Sequence, residues 1–311
     1  MNKIFGKLFS ATALVVAAAL PLSAHALCIS LTGACGYTKT KYPIVLVHGF
    51  LGFDHIGIYP YFYGISESLQ SYDGARVYTA QISAANSTEV RGEQLLAQVR
   101  QIAAATGAGK VNLIGHSHGA LTARYVASVR PDLVASVTSV GGPNKGTEAV
   151  AALSNPVSNT LSQAVAQLVS LISGEPGMPQ DMNAFVASTT GDGILAFNAR
   201  HPQGVPTTAC GEGAHQVNGV NYYSWSGVQH LSNALDASDP ILAATGLAFN
   251  GEQNDGAIGR CSSHLGQVIR DNYGMNHLDE INQTVGLVSL LETNPLTVYR
   301  QHANRLKNAG L

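Results

Sequence analysis

The segment Val111-Asn112-Leu113-Ile114 runs directly into Gly115-His116-Ser117-His118-Gly119, and helix-forming residues follow from Ala120 to Val129. A strand that turns into a helix within five residues leaves no room for side chains at the two flanking positions. Gly115 and Gly119 satisfy that demand, and the pattern is G-x-S-x-G. Such a turn lifts Ser117 above the edge of a sheet and onto a helix N-terminus, where developing negative charge is favoured. Ser117 is therefore the candidate nucleophile. The plainer alternative is a glycine-rich turn without chemistry.

The rest of the chain supplies a sheet for this turn to sit on. Ile44–Val47, 76–80, Val134–Val140 and 222–227 read as strands, the first of them apolar throughout and therefore buried. Between Gly92 and Ala105 the residues Leu95, Leu96, Val99, Ile102 and Ala103 recur at helical spacing. Segments 277–291 and 295–308 read as closing helices. Strands alternating with helices predict an α/β sheet with right-handed crossovers in one domain. Hydrophobic residues make up 45% of the chain and charged ones 12%, with a net charge of −2. That balance disfavours disorder, and it leaves no basic surplus for nucleic acid.

Lys3 and Lys7 precede an apolar run from Leu8 to Leu22, and Ala24-His25-Ala26 offers small residues for cleavage. Residues 1–26 are expected to be a removable signal peptide, leaving 27–311 as the mature domain. Four cysteines in an exported chain point to disulfides, with three possible pairings. Local pairing of Cys28 with Cys35 is the most economical, which leaves Cys210 with Cys261. No cysteine spacing resembles a zinc site.

An acyl-transfer nucleophile needs two N–H donors aimed at the oxyanion. His48-Gly49-Phe50 closes the first strand, and the amides of Phe50 and His118 are the natural pair. His48 itself reads as a structural, hydrogen-bonded histidine. For the base, the late histidines are His201, His215, His230, His264, His277 and His302. His302 is expected on the surface of a terminal amphipathic stretch, and His264 stays open. His277 follows a loop, from which an imidazole can reach a serine on another element. For the acid, Asn254-Asp255-Gly256 is a turn signal, with Asp236, Asp239 and Asp271 as competitors.

Taken together, Gly115–Gly119, His48-Gly49, Asn254-Asp255-Gly256, Asn276-His277-Leu278-Asp279-Glu280 and the closing 302–307 resemble the secreted true lipases of Pseudomonas and Burkholderia. The resemblance runs from about Lys41 to the C-terminus. It implies a triacylglycerol lipase with the α/β-hydrolase fold, a mostly parallel sheet flanked by helices. Ser117 would be the nucleophile, Asp255 the acid and His277 the base, with a disulfide joining Cys210 and Cys261.

The resemblance further implies one Ca²⁺, held by the carboxylates of Asp236 and Asp279 and the carbonyls of Gln283 and Leu287. Without it, Asp279 would read as a helix cap. A helical lid is implied at about 150–175, where Leu161, Val165, Leu168, Val169 and Ile172 share one helical face opposite Ser158, Asn159, Ser162 and Gln163. Acylglycerol at an oil–water interface, a periplasmic folding helper, type II secretion and a monomeric extracellular enzyme complete the expectation. Residues 27–40 extend beyond the family's usual start. A soluble-ester esterase or a polyester depolymerase would use the same machinery, and a catalytically silent binding protein is the alternative from another class.

Overall fold

The computed structural model describes residues 35–152 and 177–311. The expected signal peptide, Cys28 and most of the expected lid lie outside these residues.

The sheet is built from β1 (Ile44–Val47), β2 (Val77–Thr79), β3 (Val111–His116), β4 (Val134–Val140), β5 (Gln216–Val217), β6 (Val220–Gly227) and β7 (Gln267–Tyr273). Their spatial order is β2-β1-β3-β4-β6-β7. All pair in parallel except the short β5, which runs antiparallel along the start of β6. Val47 lies beside Gly115 and His116 beside Val140, so β1, β3 and β4 end at one edge of the sheet. That edge carries Ser117.

Alternation along β1 explains why both faces are covered. Val45 and Val47 pack with Leu113 against Leu95, Leu96 and Val99 of α1 (Thr88–Thr106) and Ala123 and Val126 of α2 (His118–Val129). Ile44 and Leu46 point the other way, onto Phe62, Trp225 and Tyr299. A strand buried on both sides has no polar register, hence its unbroken apolar sequence. Helix α3 (Met182–Thr189) lies beside the site, α4 (Gly191–Arg200) packs Ile194 and Phe197 on Leu121 of α2, and α5 (Asp239–Gly246) precedes the Asp255 turn. The closing helix is α6 (Pro295–Asn308).

Several expectations are corrected. Helix α1 begins at Thr88, capped by Ser87, whose hydroxyl accepts from the Val90 amide at 3.2 Å. Its first turn contains the buried Arg91, a charge that hides the apolar period in the sequence. Strand β7 carries no strand signal in the sequence, because its half-exposed residues show no alternation. Helices α3 and α4 also lay outside the sequence reading.

Segment 277–291 is not one helix. It holds a single 3₁₀ turn at Asp279–Ile281, after which Asn282, Thr284 and Val285 adopt positive φ of 56°, 55° and 53°. His302 is not on the surface. It falls on the buried stripe of α6 with Val298, Tyr299 and Leu306, and Thr138 Oγ1 meets its Nε2 at 2.7 Å. A polar ring on a core-facing stripe needs such a partner.

Cys210 and Cys261 form a disulfide, and Cys35 is disulfide-bonded as well. The partner expected for Cys35, Cys28, lies outside the described residues.

Candidate active site

Ser117 sits between β3 and α2 with φ 54° and ψ −130°, a left-handed conformation unusual for a residue with a Cβ. Its amide donates to the Val140 carbonyl at 2.9 Å, anchoring the turn to the neighbouring strand. A Cβ at Gly119 would strike the backbone carbonyls of Val47 and His48, so α2 can start this close to β1 only with glycine there.

The acid and base come from loops 22 residues apart in sequence, and both are buried. His277 Nδ1 lies 2.8 Å from Asp255 Oδ2, while Asp255 Oδ1 accepts from the amides of Ala257 (2.8 Å) and Ile258 (2.7 Å). An ionised carboxylate can only accept, so Nδ1 carries the proton and Nε2 is left to receive one. The His277 amide also donates to the Asp255 carbonyl at 2.9 Å, fixing one loop on the other. Ser117 and His277 line one cavity of about 470 Å³, whose remaining wall is mainly apolar and includes Leu51, Met182, Phe185 and Ile241. Among the described residues the Ser117 hydroxyl makes no hydrogen bond to His277.

Phe50 and His118 both face this cavity. As first residue of α2, His118 presents one of the helix's unpaired N–H groups. The Phe185 ring of α3 stacks on Phe50 at 4.2 Å and lies 5.1 Å from the His118 ring, bracing both candidate donors from one side. His48 is fully buried and keeps the structural role expected of it. Burial, assisted by the Arg91 charge, pushes its imidazole down to about 3. Burial likewise holds His118 well below the usual histidine range.

The competing residues go elsewhere. His264 Nε2 pairs with Asp271 at 3.0 Å, and Arg260 closes on the same carboxylate at 2.8 Å. His201 meets the Ser128 hydroxyl, His215 lies against the Tyr223 ring, and His230 sits 2.5 Å from Asn254 Oδ1. None of these lines the Ser117 cavity.

Asp236 and Asp279 differ from ordinary buried acids. Asp236 Oδ2 and Asp279 Oδ1 are buried without a hydrogen-bond partner. Burial, with Asp236 and Asp239 nearby, raises Asp279 to about 6. Two orphaned carboxylate oxygens suit a hard cation with oxygen ligands. Asp239 by contrast is saturated, accepting from the Ser232 and Asn233 amides and from Asn276 Nδ2. His116, His277 and Glu280 also bring ligand atoms within 4.8 Å of one another. There, however, His277 Nδ1 is taken by Asp255 and His116 Nε2 by the His277 carbonyl.

Sequence reasoning gave no role to Glu280, His116, Tyr61, Arg91 or Phe185. Glu280 is buried, accepts from the Gly227 amide at 2.6 Å, and lies 4.0 Å from His277 Nδ1. Burial and the Asp255 charge push its carboxyl well above the usual range. Its place three residues after His277 was the one available signal.

A family profile described as "alpha/beta hydrolase fold" matches residues 42–280. A relative from Vibrio cholerae named "Triacylglycerol lipase" is 59% identical, over 93% of this chain and 93% of its own. The chain belongs to the lipase family of α/β hydrolases. A second lipase of that name, from Pseudomonas fragi, is 48% identical over 88% of this chain and 98% of its own. The crystal structure of Staphylococcus hyicus lipase covers 87% of this chain and 97% of its own at a TM-score of 0.60 and 19% identity, a likeness of fold. The α/β-hydrolase fold expected from the sequence is thereby established.

Proposed function

We infer that this lipase hydrolyses triacylglycerol, with Ser117 as nucleophile, His277 as base and Asp255 as acid. The observation that carries this reading is the convergence of Ser117 and an Asp255-oriented His277 on one apolar cavity. The relatives named triacylglycerol lipase support the substrate class.

Ser117 Oγ attacks the ester carbonyl as His277 Nε2 takes its proton, and the amides of Phe50 and His118 receive the oxyanion. The imidazolium, stabilised by Asp255, returns the proton to the departing diacylglycerol oxygen. Water, deprotonated by the same nitrogen, then releases the fatty acid and restores Ser117.

We also propose that Asp236 and Asp279, with the carbonyls of Gln283 and Leu287, hold one Ca²⁺. The ion would supply charge neutralisation, bracing the loop that carries His277 two residues before Asp279. Export past a signal peptide at 1–26, with a periplasmic folding helper, type II secretion and a monomeric extracellular state, belongs to the same proposal. Its support is the amino-terminal sequence and the family resemblance.

An alkyl phosphonate should label Ser117, and the labelled protein should lose fatty-acid release from emulsified triolein. Absence of an adduct would favour a silent binding protein. Labelling together with hydrolysis of short soluble esters alone would reassign the substrate class.

A further inference from the structure

We propose that Tyr61 and His116 are positioning residues, forming a buried hydrogen-bonded strut that ties the oxyanion loop to the backbone of the catalytic base. The proposal rests on the assignment of His277 and the Phe50 amide given above, and it deepens that assignment.

The strut is continuous. The Gly49 amide donates to the Tyr61 hydroxyl at 3.1 Å, and that hydroxyl lies 2.8 Å from His116 Nδ1. On the far side of the ring, His116 Nε2 lies 2.9 Å from the His277 carbonyl. Residues 49, 61, 116 and 277 come from four separate stretches of chain, and all four are buried.

Donor and acceptor chemistry permits one direction only. A carbonyl accepts, so His116 Nε2 must carry a proton. Burial holds the His116 imidazole well below the usual range, so the ring is neutral and Nδ1 is an acceptor. The Tyr61 hydroxyl must therefore donate to Nδ1, which leaves its lone pair for the Gly49 amide. Every group on the path is satisfied once.

Each end of the strut bears on the chemistry. The His277 backbone is held from two sides, its amide by Asp255 and its carbonyl by His116. At the other end, Gly49 is fixed through its amide by Tyr61, and its carbonyl lies 3.0 Å from His48 Nδ1. That carbonyl shares a peptide plane with the Phe50 N–H, so holding it sets the direction in which the N–H points. A Cβ on Gly49 would meet Ser117 Cβ at 2.7 Å and the Tyr61 hydroxyl at 2.9 Å. The strut thus passes against the nucleophile on its way between the two loops. Oxyanion donors and base must be registered to each other within fractions of an ångström, and a shared rigid connection does this without touching substrate.

Tyr61→Phe removes one oxygen and keeps the ring in the cavity wall, and His116→Gln cuts the strut at its second member. On a short soluble ester, each variant should lower kcat at least tenfold with KM within twofold of the parent. The double variant should be no slower than the slower single variant, because a strut cut once is already cut. Nitrogen-15 spectra of the parent should place the His116 proton on Nε2. Parent-like kcat in Tyr61→Phe, multiplied losses in the double variant, or a proton on Nδ1 would each overturn the proposal. If His116→Gln does not fold, Tyr61→Phe and the parent spectrum decide. Failure of the underlying functional reading looks different: the parent itself would show neither turnover nor a phosphonate adduct at Ser117.

Discussion

Arg91 is the residue whose replacement most directly tests how the oxyanion loop is held. Its guanidinium is fully buried, and among the described residues no carboxylate pairs with it. Instead it donates to backbone: Nη2 to the His48 carbonyl at 2.6 Å and Nη1 to the Ser83 carbonyl, with Nε 3.3 Å from the Thr122 hydroxyl. Burial lowers its pKa to about 9, still above neutrality, so the charge persists at pH 7. Arg91→Met keeps much of the volume but strands those acceptors.

A buried acceptor left unpaired costs about 1–3 kcal/mol, and three of them bring the loss to roughly 3–9 kcal/mol. Relief of the guanidinium's own desolvation offsets part of this, and about 3–5 kcal/mol is the expected net destabilisation. At roughly 2–4 °C per kcal/mol for a chain of this size, Tm should fall by about 10 °C. The His48 carbonyl is two residues from the Phe50 amide, so the donor should also drift. Loss of one oxyanion donor is worth on the order of 10²–10³ in kcat. Thermal melting and steady-state kinetics on a soluble ester, with phosphonate titration to count active sites, would measure both effects. A variant within about 0.5 kcal/mol of the parent and with unchanged kcat would refute the reasoning.

Chelation should lower both Tm and activity through binding linkage, and Asp279→Ala should be insensitive to chelator while already sharing the loss. A parent indifferent to chelator would remove the calcium proposal. His302, buried and held well below 6.5, binds its proton later than the unfolded chain does, so stability is present above pH 6.5 and is lost as pH falls below it. His302→Gln should therefore lose less stability than the parent as pH falls from 6.5 to 5, read from urea midpoints, and an equal loss in both would contradict this. Reducing Cys210–Cys261, which spans a sequence separation of 51, should destabilise by about 4 kcal/mol, and a melt unchanged by reductant would contradict this.

Much of this protein was written in local sequence. The apolar run at β1, the two glycines about Ser117 and the Asn254-Asp255-Gly256 turn are each dictated by sterics within a few residues, so they can be read without a structure. The fold class follows, because doubly buried strands and amphipathic helices in alternation have few ways to pack.

What the tertiary structure alone decided is partnership. His264 and Asp271 look as eligible as His277 and Asp255 until the sheet brings the first pair together away from the cavity. His302 carries a surface residue's composition, yet the stripe on α6 buries it against Thr138. Arg91, Tyr61, His116 and Glu280 give no periodic signal. Their polar groups are matched across separations such as 55 residues for Tyr61 with His116 and 161 for His116 with His277. Local sterics act through covalent neighbours and leave a trace in sequence. A buried polar group is defined by whichever distant atom completes its hydrogen bond, and only the folded chain brings that atom within reach.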